Sequence, residues 1–238
     1  MTEREYPGPD SRRVQEMFAG IAHRYDFLNH FLSASIDRRW RNVAVRKVRD
    51  LTHSVPPRLC LDLCSGTGDL ALALQRGIGC EVVASDFCHP MLTRAKPKFV
   101  GRPVRNVEAD ALKLPFADRS FDALTIAFGL RNLENPLRGL MEMHRVLKPG
   151  GALVILEFSK PVVPLLRHAF GFYFHHVLPR LGALISGHGN AYRYLPDSVV
   201  KFPAQEELLQ LLRAAGFKNV AYRNLSGGIA ALHWGIGE

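Results

Sequence analysis

Apolar residues Val14, Met17, Phe18 and Ile21 recur at helical spacing behind Asp10 and Ser11, two residues suited to cap a helix. The chain is therefore expected to open with an amphipathic helix, and a second is expected over residues 36–51. Pro56 and Pro57 end this helical region and set a boundary. Beyond Arg58 the pattern changes to short apolar runs: LCLDLC (59–64), CEVVAS (80–85), residues 103–108, FDALTIAF (121–128) and GALVILEF (151–158). Between them lie stretches of helical period near 68–76, 89–98 and 134–147. Runs apolar on both faces suit a parallel sheet covered by helices on each side, so an α/β core is predicted. The PGG at 149–151 stops one helix and turns the chain into a strand. Pro203 opens a further helix running to about Ala215. The runs 218–225 and 229–233 flank Gly227-Gly228, a hairpin signal, so the sheet should finish with an antiparallel pair.

Composition narrows the class. The chain has 238 residues, 47% hydrophobic and 22% charged, enough for one large domain with a substantial core, and it excludes a disordered or fibrous chain. No apolar run reaches the roughly 18 residues of a spanning helix and the first residues do not resemble a signal peptide, so neither secretion nor a membrane span is expected. Cys60, Cys64, Cys80 and Cys88 lie in apolar surroundings without paired CxxC spacing, which suits buried reduced thiols better than a metal site. The net charge of +9 is uneven: residues 59–159 carry 12 basic and 11 acidic side chains, so both flanks hold the excess. Arg38, Arg39, Arg41, Arg46, Lys47 and Arg49 share the second helix, either as a solvated face or as a binding patch. From 158 to 196 there is no carboxylate, while Lys160, Arg167, Arg180 and Arg193 mix with aromatic, leucine and histidine residues.

The sharpest local feature is LDLCSGTGDL at 61–70: a buried strand, a loop of small residues and a helix start. In open α/β sheets ligands bind beyond the carboxyl ends of the strands, so this loop is the default cofactor site. Gly66 to Ala71 also reads as GxGxxA, a weak dinucleotide fingerprint. Three carboxylates favour another ligand. Asp62 ends the first strand and can attract a cation, Asp86 ends the second and can hold ribose hydroxyls, and Asp110 with Ala111 ends the third, where an adenine would lie. Such a cup suits a positively charged nucleoside and repels a pyrophosphate.

That arrangement resembles the class I S-adenosylmethionine-dependent methyltransferases, and longer strings narrow the likeness. MFAGIAHRYDFLN (17–29), FDALTIAFGLRN (121–132), VLKPGGALVILEFSKP (146–161), AYRYLPDSV (191–199) and LSGGIAALHWG (225–235) together resemble the menaquinone and ubiquinone biosynthesis C-methyltransferases. The resemblance implies a Rossmann-like α/β fold with a mostly parallel sheet, an antiparallel C-terminal hairpin and a helical N-terminal lid over 1–57. A methyltransferase core over 58–238 would carry the apolar, basic insertion 160–196. It implies S-adenosyl-L-methionine as cofactor, held by Thr67, Asp86, Asp110 and Ala111, with Asp62, Gly66, Gly68 and Ala127 around it. Two positions depart from common patterns: Cys64 stands where the loop often has Gly or Ala, and Ala127 where many relatives have serine.

The implied reaction is methyl transfer to a ring carbon of a reduced polyprenyl quinone, demethylmenaquinol first and a methoxy-polyprenyl-benzoquinol second. The ring becomes nucleophilic when a neighbouring hydroxyl loses or shares its proton. At a phenol-like pKa of about 10, ionisation near pH 7 requires roughly 4 kcal/mol of anion stabilisation. Arg131, always protonated, is the expected cation and Asn132 a donor; the alternative is a helix-start salt bridge between Arg131 and Glu134. Tyr25, Asp26 and Asn29 belong to the expected lid, with Asp26 or a water as proton acceptor, or else they cap a packed helix; Tyr192 and Tyr194 carry the same two readings. The segment 160–196 reads as an interfacial surface at the inner face of the cell membrane or as an internal tunnel lining. A homodimer is allowed but no motif requires it. His175 and His176 suggest no metal site. A nucleic-acid methyltransferase would share the core and the charge, yet AFGLRN replaces the Pro-Pro-aromatic motif of base-amine methylation.

Overall fold

The computed structural model describes residues 8–23, 33, 35–164, 166, 171, 173 and 189–238, with side chains from 194 in the last span. Helix α1 (Ser11–Ile21) starts at Asp10, whose carboxylate accepts the Arg13 N–H, and buries Val14 and Ile21. Helix α2 (Ile36–Leu51) follows; its Trp40, Ala44, Val45 and Val48 recur every three or four residues and form its buried stripe.

From there strands and helices alternate: β1 (Leu59–Leu63), α3 (Asp69–Ile78), β2 (Glu81–Asp86), α4 (His89–Phe99), β3 (Val104–Glu108), β4 (Phe121–Ala127), α5 (Pro136–Val146) and β5 (Leu147–Phe158). Helices α6 (Gly189–Lys201) and α7 (Gln205–Ala214) precede β6 (Lys218–Leu225) and β7 (Ala230–Ile236). The seven strands form one sheet in the order β3-β2-β1-β4-β5-β7-β6. Strands β1 to β5 pair in parallel, while β7 runs antiparallel to both β5 and β6.

Alternation along the strands divides the core between the two faces. Cys60, Val82, Val154 and Leu232 pack with Trp40, Val48 and Leu74 on one side. Leu61, Leu124, Ile126 and Leu153 pack with Leu140, Met143 and Leu212 on the other. Helix α2 is thus part of the packed outer layer beside α3, and Pro56–Pro57 does not divide two cores. The expected hairpin is present, but Ser226–Gly228 forms a 3-10 turn and β7 continues to Ile236. No helix among the described residues is long and apolar enough to cross a membrane.

The sheet reverses order between β1 and β4. Strands placed to either side of that point diverge at their carboxyl ends and leave a crevice. All the loops discussed next lie there.

Candidate active site

The β1–α3 loop turns sharply because three of its residues adopt left-handed backbone: Cys64 (φ 50), Gly66 (φ 55) and Gly68 (φ 84). Glycine accepts that conformation freely; Cys64 does not. Gly68 is required twice over, since a Cβ there would lie 2.3 Å from the Phe99 ring. The loop is pinned by the Ser65 N–H to the Ser85 carbonyl at 3.0 Å and by the Gly66 N–H to Asp86 Oδ2 at 2.8 Å.

Together with the ends of β2, β3 and β4 this loop encloses a cleft of about 850 Å³, counting its open mouth. Gly66, Asp86, Asp110, Ala111, Ala127 and Asn132, all expected from the sequence, line it. So do Phe18 and Ser11 of α1, which puts the first helix over the mouth, and Leu63, Phe87, Met91, Leu112 and Phe128, whose apolar side chains the motifs did not single out. Thr67 and Gly68 lie in the same loop, with Thr67 buried, but do not line the cleft.

Asp62 is also off the cleft wall. It is buried in the sheet, where Thr125 donates to its Oδ1 at 2.7 Å. Burial pushes its pKa up to about 7, against the pull of that hydroxyl, of Arg41 and of the Ala71 amide. Asp86 is raised as well, again by burial, although the Cys88, Gly66 and Phe87 amides oppose the shift. Asp110 accepts the Leu112 N–H at 2.8 Å, which fixes the β3 loop.

Arg131 sits on a 3-10 turn (Leu130–Asn132) just beyond β4 and is buried. Its partner is Glu157 near the end of β5, at 2.7 Å, not Glu134; Glu134 instead accepts the Ser11 hydroxyl at 3.0 Å. The guanidinium therefore stands behind the cleft wall with its charge matched by a buried carboxylate, and Asn132 is the member of the pair that reaches the cleft. Burial raises the Glu157 pKa, with Arg131 opposing. A single carboxylate inside the apolar run LVILEF was the available signal for this pair. Tyr25, Asp26, Asn29, Tyr192, His175 and His176 fall outside the residues or side chains described. Among the described residues no cluster of three His, Cys, Asp or Glu could hold a metal ion.

The cleft fits S-adenosyl-L-methionine on its own chemistry. Asp86 and Asp110 give one end negative charge for a cationic nucleoside, Ser85 lines the same wall with a hydroxyl that lacks a partner, and Phe18, Met91 and Leu112 supply apolar walls. A sheet of this order with such a cleft at its switch point defines a Rossmann-like α/β protein built to hold a cationic nucleoside cofactor.

Solved structures agree on the fold. The [4+2]-cyclase SpnF superposes with a TM-score of 0.69 over 97% of both chains at 18% identity. A SAM-dependent methyltransferase from Aquifex aeolicus superposes with 0.55 over 75% of this chain and 81% of that one at 21% identity. One of these is a cyclase, so the shared fold does not decide the reaction. Sequence does: residues 8–237 match the ubiE/COQ5 methyltransferase family. A demethylmenaquinone methyltransferase of Deinococcus radiodurans is 51% identical, covering 92% of this chain and 90% of its own. One of Thermus thermophilus is 52% identical over 92% and 99%, and a ubiquinone/menaquinone biosynthesis C-methyltransferase UbiE of Geotalea uraniireducens is 46% identical over 94% and 95%. The chain belongs to the ubiE/COQ5 methyltransferase family, and its cofactor is S-adenosyl-L-methionine.

Proposed function

We propose that this chain methylates a ring carbon of a reduced polyprenyl quinone, with demethylmenaquinol as substrate, in menaquinone biosynthesis. The observation that carries this reading is identity of about one half, over nine tenths of the chain, to two relatives that both bear the name demethylmenaquinone methyltransferase. Bound S-adenosyl-L-methionine supplies an electrophilic methyl group. Asp86, Asp110 and Ala111 are proposed to hold it, with Gly66 and Ala127 beside them on the wall and Thr67, Gly68 and Asp62 shaping the loop and strand from behind.

The protein's own task is then alignment, exclusion of water and stabilisation of a quinol oxygen as its proton leaves. Alignment alone supplies several kcal/mol. Asn132 on the cleft wall is the proposed donor to that oxygen. Arg131 acts from behind: its Nη1 donates to the Phe128 carbonyl and to Glu157, so the ion pair fixes the β4 loop while its dipole bears on the site. This refines the role expected for Arg131 as an unopposed cation. Asp26 or a water is the proposed proton acceptor, with Tyr25 proposed to assist.

A polyprenyl quinol is dissolved in the bilayer, so the enzyme is proposed to work peripherally at the cytoplasmic face of the membrane. Val162 and Val163, exposed at 51% and 45% next to exposed Lys160, begin the carboxylate-free segment on the cleft side of the sheet and suit such a contact. Nucleic acid is not the proposed substrate, because relatives identical at about half the positions are named for a quinone, and the chain has AFGLRN where base-amine methylation uses a Pro-Pro-aromatic motif. Relatives named for both quinones support a second reading, methylation of the methoxy-polyprenyl-benzoquinol, alone or in addition.

Methyl transfer to the two quinols, assayed in parallel with labelled cofactor, separates these readings. Product on the naphthoquinol alone is expected. Product on the benzoquinol alone would overturn the menaquinone assignment.

A further inference from the structure

The loop after β4 is tied to α6 by contacts that no sequence motif announces. Phe128 lines the cleft with left-handed backbone (φ 58), unusual for an aromatic residue, and its carbonyl accepts from both Arg131 Nη1 and Asn132 Nδ2, the latter at 3.3 Å. Helix α6 reaches the same loop twice. The Tyr194 hydroxyl donates to Asn132 Oδ1 at 2.9 Å, and Ser198 Oγ accepts from Arg131 Nε at 3.3 Å while donating to the Leu195 carbonyl.

A side-chain amide has nearly the same shape in its two orientations, so hydrogen bonds alone decide which end faces where. Here both ends are decided. The Phe128 carbonyl can only accept, so the Asn132 nitrogen must face it, and Tyr194 holds the oxygen on the opposite side. Asn132 lines the cleft, and these two bonds leave its second N–H unpaired.

We propose that Tyr194 is a positioning residue for methyl transfer: it holds the Asn132 amide so that an N–H, and not the carbonyl oxygen, meets the quinol oxygen. Without the phenol only the long 3.3 Å bond to the Phe128 carbonyl holds the amide, which can then rotate and bring its oxygen to the cleft, where it repels the anion that develops as the quinol gives up its proton. Tyr194 itself touches neither cofactor nor substrate in this scheme. The inference rests on the reading of the substrate as a quinol.

The test is a double-mutant cycle over Tyr194→Phe and Asn132→Ala, with Asn132→Asp as a third variant, scored by kcat and KM for demethylmenaquinol and by Kd for S-adenosylmethionine. Tyr194→Phe is expected to lower kcat about tenfold, leaving the cofactor Kd and the quinol KM within about twofold. On the Asn132→Ala background it should change kcat by less than about twofold, since coupled residues are not additive. Asn132→Asp, which fixes an oxygen where the N–H stood, should be slower than Asn132→Ala. Additive losses, an unchanged kcat in Tyr194→Phe, or loss of cofactor binding in that variant would overturn the proposal while the substrate reading stood. Failure of the wild-type chain to methylate the quinol would instead sink the substrate reading, and the positioning role with it.

Discussion

Burial of the Asp62 carboxylate links a single side chain to the stability of the whole fold. In the unfolded chain it ionises near pH 4, and in the fold near 7, because the sheet excludes the water that would solvate its charge. Between those values the folded state binds more protons than the unfolded one, so stability falls as pH rises from about 4 to 7 and is flat above. The part of that loss between pH 5 and 8 is on the order of 2 to 3 kcal/mol. Asp86 and Glu157 push in the same direction and His233, lowered by burial to about 4, in the opposite one. All three are common to wild type and Asp62→Asn, so comparing the pair isolates Asp62. Urea unfolding at pH 5 and pH 8 should show a shallower loss in the variant, by about that amount. Equal losses would mean that Asp62 is ionised throughout. The position of Asp62 was legible in the sequence; its raised pKa was not, since LDLC gives no hint that the packed sheet shuts water away from its carboxylate.

At the scale of elements, two loops fit against each other at the switch point. Cys64 carries its side chain on left-handed backbone, and a Cβ on Gly129, in the loop after β4, would lie 2.3 Å from the Cys64 Cβ. Gly129→Ala should therefore destabilise the protein by about 2 kcal/mol, as an overpacked core position does. In a Cys64→Gly background the clash disappears and the nearest remaining atom, Ile126 Cγ1 at 3.3 Å, can yield, so the same substitution should cost less than about 0.5 kcal/mol. Chemical denaturation of the four proteins checks this, and equal costs in both backgrounds would contradict the loop geometry. Periodicity located every described strand and most helix ends because those patterns follow from burial along the element itself. The Arg131–Glu157 pair escaped because its partners lie 26 residues apart on different elements, and their meeting depends on the β4–β5 register. The Glu134 alternative, close in sequence, fails because Glu134 turns toward Ser11.

For the whole molecule, the cleft and the fold should be thermodynamically linked. A ligand that binds only the folded state stabilises it by about 2.7 kcal/mol at a hundred times its Kd, which for a chain of this length raises Tm by roughly 5–10 °C. S-adenosylmethionine should produce such a shift in wild type and a much smaller one in Asp86→Asn, where a backbone N–H now held by the carboxylate, at Gly66 or Cys88, loses its acceptor. A full shift in the variant would remove Asp86 from the cofactor site. Charge and composition excluded whole classes of protein, yet they could not select a reaction, which came from motif strings and family membership.

The most direct measurement is methyl transfer from labelled S-adenosylmethionine to demethylmenaquinone presented reduced and, separately, oxidised. Only the reduced ring can donate electron density to the methyl group, so label should appear in the quinol sample alone. Cofactor that binds without transfer to either form, or equal transfer to both, would contradict a methyltransferase acting on a reduced quinone.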